Sequence, residues 1–180
     1  MGICIVNDIQ VNYKGVIIYK NNSVGDASVY SLTDDFNTNR IDFSELFGCF
    51  SINFNNLKDN SVTFFCDNMG YMPIYYNTKS SPIFSDSLID IVEKTKQTKI
   101  DLDWNGVFSF LEFGFCCSDL TFFKNIKKCS GNYMYIIKNN SLNIVEKKFT
   151  YSVNINDIDS YVEQLKKNYF LLKMKNYCLI

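Results

Sequence analysis

The chain has 180 residues, is 47% hydrophobic, carries a formal net charge of −1 and contains no histidine. That length suits one domain with a sizeable core, and a near-neutral chain without a basic face argues against nucleic-acid binding. The absence of histidine excludes a Cys-His or Ser-His catalytic pair and any His-containing metal site, and no cofactor is expected.

No apolar run approaches the roughly 18 residues that a membrane-spanning helix needs. The start, Met1-Gly2-Ile3-Cys4-Ile5-Val6, has no basic flank and no small-residue cleavage site, which argues against a signal peptide. The seven cysteines are an odd number, irregularly spaced and without a CxxC, so they read as small core residues of a protein kept in a reducing cytoplasm.

Taken in order, Gly2–Val6 reads as a β-branched strand. After a turn at Asn7–Gln10, residues Val11–Tyr19 resume extended structure, with Gly15 as a bulge or close-approach point. Lys20–Asp26 reads as a polar loop, Ala27–Leu32 as a short strand, and Thr33–Arg40 as polar chain again. Within it, Asp34 and Asp35 read as a solvated turn, and the single arginine, Arg40, as a surface residue.

Asp42–Leu46 forms one or two helical turns. In Cys49–Phe54 the residues Phe50, Ile52 and Phe54 alternate with Cys49, Ser51 and Asn53, which predicts a strand with one buried and one semi-polar face. Asn55–Asn60 is a hairpin turn into a strand over Ser61–Phe65. The chain then breaks at Asp67-Asn68-Met69-Gly70, where Asp and Asn can bond their own backbone and Gly can take positive φ. Pro73 fixes its exit. Short strands are expected at Ile74–Tyr76 and at Ile83–Phe84, with a turn over Asn77–Ser81 between them.

Ser87–Lys94 reads as a helix with Leu88, Ile91 and Val92 on one side. Asp103 can cap the next helix, in which Trp104, Val107, Phe108 and Leu111 follow at helical spacing and Gly114 suits the C-terminal position. Phe115–Asp119 is a loop. Tyr133–Ile137 and Leu142–Val145 form a hairpin through Lys138-Asn139-Asn140-Ser141, because Asn tolerates positive φ. Asn156 can cap a final helix over 157–174, whose apolar face is Ile158, Tyr161, Val162, Leu165, Tyr169 and Leu172.

The stretch from Phe64 to Asp86 resembles the amino-terminal, class II glutamine amidotransferase-like half of the asparagine synthetase family. There an apolar strand precedes Arg-Asp-x-x-Gly-x-x-Pro-Leu-Tyr-Tyr, and a hairpin then reaches a Ser-Glu step into a helix. Asp67, Gly70, Pro73, Tyr75 and Tyr76 match that pattern; Cys66 stands where Arg is usual, and Ser85-Asp86 where Ser-Glu is usual. Gly48, Phe50 and Ser51 match the family's Gly-x-Phe-Ala-Phe strand. Thr121, Phe123, Ile126 and Gly131 match its Thr-Leu-Phe-x-x-Ile and Pro-Gly steps, with Ser130 in place of Pro. The resemblance runs in order over more than half the chain.

It implies an α+β fold: an Ntn-hydrolase-like sandwich of two antiparallel sheets with short flanking helices, the outer helical layers reduced. Residues 1–152 would form this domain, and 153–180 a helix that begins the family's ATP-using domain. That domain's Ser-Gly-Gly-x-Asp-Ser phosphate loop does not occur in the chain. Asp67, Gly70, Pro73 and Tyr75 form the structural motif of the amidotransferase-like domain.

The active members of the family attack the glutamine amide with an amino-terminal cysteine whose own α-amine is the base. Removal of Met1 would expose Gly2, which carries no nucleophile, and Cys4 is internal. The family's Arg-His-Arg-Gly-Pro and Asn-Gly-Glu stretches are also missing. The resemblance therefore implies a domain without glutaminase activity that supports a synthetase-type partner, or self-associates through its C-terminal helix. Two alternatives stay open: an active glutamine amidohydrolase using a processed Cys4, and an unrelated β-rich binding module.

Overall fold

The computed structural model describes residues 2–20, 26–79, 82–150 and 163. Nine strands and three helices are described: β1 (Gly2–Val6), β2 (Ile9–Tyr19), α1 (Asp26–Asn37), β3 (Leu46–Asn56), β4 (Val62–Cys66), β5 (Tyr75–Asn77), β6 (Phe84–Ser85), α2 (Leu88–Thr95), α3 (Trp104–Phe113), β7 (Ile126–Lys128), β8 (Tyr133–Lys138) and β9 (Ser141–Glu146). Short 3-10 turns stand at Phe43–Glu45 and Lys99–Asp101. One sheet has the order β1-β2-β3-β4-β8-β9, and a second the order β6-β5-β7. The strand pairings are antiparallel, as the expected α+β architecture requires. Of the expected final helix over 157–174 only Glu163 is described, in helical conformation, and the boundary at 152 lies outside the described residues.

The chain divides into two compact units. One holds the residues up to Gly15 with Phe50–Lys147, the other Val16–Cys49 with the residues from Lys148 on.

In the first unit the two sheets pack face to face. Phe64 and Cys66 of β4 and Tyr135 of β8 meet Tyr76 of β5 and the flanking Ile74 and Cys129 in a buried cluster, against which Phe84 of β6 packs. Phe64 stacks on Phe84 with ring centroids 4.3 Å apart and on Tyr135 at 5.5 Å. Such aromatic pairs add to the burial of their surface, and they join the sheets at the centre of the cluster. Burial pushes the Cys66 thiol up to about 11 and raises Cys129 further. Strand β7 escapes a reading by periodicity, because three residues are too few to show a period.

The local signals at the turns are borne out. Asn139 and Asn140 both take positive φ (49° and 60°) between β8 and β9, the geometry of a two-residue hairpin loop that suits the strand twist. The helix expected from Ser87 begins one residue later, since Ser87 is its cap and accepts the Asp90 amide, and α2 lies against β5 and β6 with Ile91 fully buried. Asp103 caps α3, and Gly114 ends it in the left-handed region at φ 77°.

The apolar stripe of α3 is a different matter. Trp104, Phe108 and Leu111 are exposed, and the residues buried are Gly106 and Ser109. Close approach explains this. A Cβ on Gly106 would stand 1.9 Å from the Thr121 carbonyl oxygen, so only a glycine lets the helix backbone lie on this segment. Ser109 fixes the same face by donating to the Phe115 carbonyl (3.1 Å) and accepting the Cys117 amide (2.9 Å).

In the second unit, Ala27–Leu32 is not a strand but the first half of α1. Its buried residues Ser28, Val29, Leu32 and Thr33 recur at spacings of three and four, a helical period that a six-residue window hides. Asp35, read from sequence as a solvated turn, is largely buried on this helix. Burial alone would raise its pKa, but the hydrogen bonds from Lys20 and Tyr19 outweigh that and hold it below the usual range. The Tyr19 hydroxyl donates to Asp35 (2.8 Å) and accepts the Asp42 amide (3.1 Å). Arg40 is exposed, as expected, and donates to Thr38 at 2.9 Å.

Truncating the ring at the centre of the sandwich tests this packing. Phe64→Ala is expected to lower stability by about 3–5 kcal/mol, read as a fall in the urea midpoint at unchanged slope.

Candidate functional site

The motif singled out in the sequence is a loop built around one carboxylate. Asp67 follows β4 directly, and its amide donates to the Phe50 carbonyl at 2.9 Å. Its side chain is 1% exposed and turns back into the loop. Oδ1 accepts the amides of Met69 (3.0 Å) and Tyr71 (3.1 Å), and Oδ2 accepts that of Met72 (2.9 Å). Gly70 sits at φ 71° and donates its amide to the Asp67 carbonyl at 3.0 Å. Pro73 is half-buried and leads into Ile74, whose carbonyl accepts the Cys129 amide at 2.7 Å. Tyr75 then pairs with Ser85 and Lys128, and burial raises its pKa.

A second loop closes on the first. A Cβ at Gly131 would stand 2.3 Å from the Asn68 carbonyl oxygen, so a residue without a side chain is required where the two backbones touch. Lys147, 2% exposed, reaches the same place. Its Nζ donates to the Cys66 carbonyl (2.7 Å) and to Asn68 Oδ1 (3.2 Å) and lies 5.0 Å above the Phe65 ring. Burial pulls its pKa down to about 8, partly offset by Cys66, Asp67 and Cys129. The sequence reading missed Lys147; no local signal marks a lysine just past a strand as buried.

The first unit also contains a cavity of about 160 Å³, lined by Asn12, Tyr13, Lys14, Ser51, Ile52, Asn53, Ile74, Phe84, Ser85 and Asp86. Ile74 and Phe84 give it an apolar wall. Asn12 donates to Asn53 Oδ1 at 2.9 Å across neighbouring strands. Lys14 and Asp86 form an ion pair at 3.1 Å, about half exposed. The Ser85-Asp86 step read from the sequence thus stands at the cavity and leads into the cap of α2. Its Ser85 hydroxyl donates to Asp90 at 3.2 Å and accepts the Ser87 amide at 3.1 Å. Of the motif residues, none of Asp67, Gly70, Pro73 and Tyr75 lines this cavity; they order the loop that delivers Ile74 to it.

Strand register places Cys4. Ser51 and Asn53 pair with Cys66 and Phe64 and so share the face that packs on the second sheet. Asn12, bonded to Asn53, lies on that face, and Val11 on the opposite one. Cys4 pairs with Val11, so its thiol lies on the face away from the cavity. Amide and hydroxyl groups with a neighbouring ion pair can hold a small polar molecule, but this lining includes no thiol. Among the described residues, no group of three or more His, Cys, Asp or Glu could hold a metal ion. None of the described helices is long and apolar enough to cross a membrane.

The structure thus brings Asp67, Gly70, Pro73 and Tyr75 together, and leaves Cys4 apart from them. Comparison with protein families matches a glutamine amidotransferase domain to residues 39–150, more than half of the chain. Comparison with curated proteins returns no match.

Two substitutions probe the loop. Asp67→Ala leaves three amides without their acceptor and is expected to cost about 3 kcal/mol, measured by urea unfolding. For Lys147 the folded pKa lies below the unfolded value, so the unfolded chain binds more protons between about pH 8 and 10.5. The penalty of the buried cation is full below that window and is relieved as pH rises through it. From pH 7 to 10, the stability of the wild type relative to Lys147→Met is therefore expected to rise by about 2 kcal/mol; a flat difference would show that the amine is not held in its strained charged state.

Proposed function

We propose a supporting, non-hydrolytic role for this chain, which belongs to the glutamine amidotransferase domain family over residues 39–150. In this reading it keeps the sandwich and the Asp67 loop, does not hydrolyse glutamine, and serves an ATP-dependent amide-forming domain. Asparagine synthetase, β-lactam synthetase and lasso-peptide cyclase are the reaction types whose relatives it resembles.

The observation that carries the reading is the position of Cys4. Amino-terminal thiol chemistry needs a sulfur facing the substrate and a free α-amine beside it. The Cys4 backbone lies inside β1, opposite Val11, and its thiol is on the face away from the cavity. No histidine exists to activate another nucleophile. Serines at the cavity, Ser51 and Ser85, lack such a base. What remains is the architecture: Gly48, the Asp67 loop and Gly131 occur in the family's order, and the loop and Gly131 hold their parts of the fold.

The test is release of glutamate and ammonia from glutamine by the purified chain, with mass spectrometry of its amino terminus alongside. The expected result is release at the rate of buffer alone, unchanged by Cys4→Ala, and no species beginning at Cys4. Glutamate release that Cys4→Ala abolishes would overturn the proposal and establish a glutamine amidohydrolase instead.

A further inference from the structure

We infer that Cys116 and Cys117 are a reversible oxidation site: they close into a disulfide between neighbours, and closure frees the end of α3 from the loop that follows it. The inference rests on this loop and is independent of the functional reading above.

These two thiols stand apart from the other described cysteines. Cys66 and Cys129 are sealed in the core, and Cys4 and Cys49 lie on different strands, β1 and β3. Cys116 and Cys117 are consecutive and partly exposed, in irregular chain just past the Gly114 cap. Burial raises the pKa of Cys116, Lys128 offsets part of that, and Cys117 adds to the rise, so the two sulfurs feel each other's charge. Among the described residues no group of three or more His, Cys, Asp or Glu could hold a metal ion. A solvent-facing pair of thiols without further ligands is suited to oxidation rather than to a metal.

The surroundings set the order of events. The Cys116 thiol donates to the Gly106 carbonyl at 3.5 Å. Cys117 is held by its backbone, its amide by Ser109 and its carbonyl by the Leu120 amide at 3.1 Å, which leaves its thiol to meet the oxidant first. With hydrogen peroxide as that oxidant, the Cys117 thiolate attacks one peroxide oxygen. An S–O bond forms, the O–O bond breaks, and the departing oxygen takes a proton and leaves as water. Cys116 then loses its proton and attacks the Cys117 sulfur. The S–S bond forms, the S–O bond breaks, and a second water leaves. The two thiols have given up two electrons, and the peroxide has taken them.

The bridge bears on α3 because it encloses a peptide bond that seats the helix. Ser109 donates to the Phe115 carbonyl (3.1 Å) and accepts the Cys117 amide (2.9 Å), so one hydroxyl grips the loop on both sides of Cys116. Cα atoms across one trans peptide bond are about 3.8 Å apart, whereas bridged cysteines usually span about 5.5–6 Å. Closure between neighbours therefore twists the peptide bond that carries the Cys117 amide and draws that amide from Ser109. It also removes the proton that Cys116 gives to Gly106. Both losses fall on the face by which α3 is seated, and a bridge so strained is readily reopened by a dithiol.

Peroxide treatment of the full chain, followed by alkylation and tryptic mass mapping, tests this. The tryptic fragment 100–124 contains these two cysteines and no other. It is expected to lose the mass of two hydrogens and to refuse the alkylating reagent until dithiothreitol is added, and Cys116→Ser and Cys117→Ser are each expected to abolish this. Hydrogen exchange across 109–117 is expected to quicken about five- to tenfold in the oxidised chain, the equivalent of one lost hydrogen bond. Ser109→Ala is expected to give the same increase without oxidation. A fragment that stays open to alkylation, or that gains oxygen in place of losing hydrogen, overturns the oxidation site. A bridge that leaves exchange across 109–117 unchanged overturns its effect on α3.

Discussion

The sandwich of the first unit turns on one buried carboxylate. Asp67 stands where β4 ends and the chain must leave one sheet for the other. A charge so buried is costly unless hydrogen bonds satisfy it, and three amides of the following residues do so. The bonds in turn dictate the path of those residues. The loop they shape delivers Pro73 and Ile74 to the start of β5, and from there the second sheet is laid against the first. Gly131 and Lys147 complete the arrangement from the far side of the chain. One brings a backbone within contact of Asn68, and the other satisfies the carbonyl at the end of β4.

Much of this was legible in the residues. Asp, Gly and Pro at fixed intervals announce a loop with one geometry, and the structure builds it from those residues. Hairpin and helix ends were readable for the same reason. Asn139-Asn140, Asp103 and Gly114 act on their immediate neighbours, so their meaning is local. The readings that failed are those whose evidence lies elsewhere in the chain. The helical period of Ser28, Val29, Leu32 and Thr33 emerges only when the window passes Leu32. Burial of Asp35 depends on Tyr19 and Lys20, which come before the helix begins. An apolar stripe at helical spacing reads as core, yet Gly106 and Ser109 take that place on α3. The cavity was still less legible, because its walls come from four separate stretches that only sheet register brings together.

Register also separates two questions that the sequence leaves joined. A cysteine four residues into the chain invites a comparison with enzymes that use an amino-terminal thiol. Pairing with Val11 fixes its position: alternation along a strand is strict, so Cys4 shares the face of the fully buried Val11, away from the cavity. Asn12 and Asn53 meanwhile hold the inward face with a direct amide–amide hydrogen bond, and polar side chains occupy the ground between the sheets there. The fold persists, and the chemistry at its opening is set by whichever side chains alternate inward.

The two thiols in the centre of the sandwich give the molecule a built-in clock. Alkylating reagents attack the thiolate, and Cys66 and Cys129 are shielded twice, by lack of access and by a proton held more firmly than usual. Neither can be labelled while the sheets stay closed. The rate at which they take up a maleimide therefore reports how often the sheets part, and comparing that rate with global unfolding distinguishes a local breathing of the loop from loss of the whole fold.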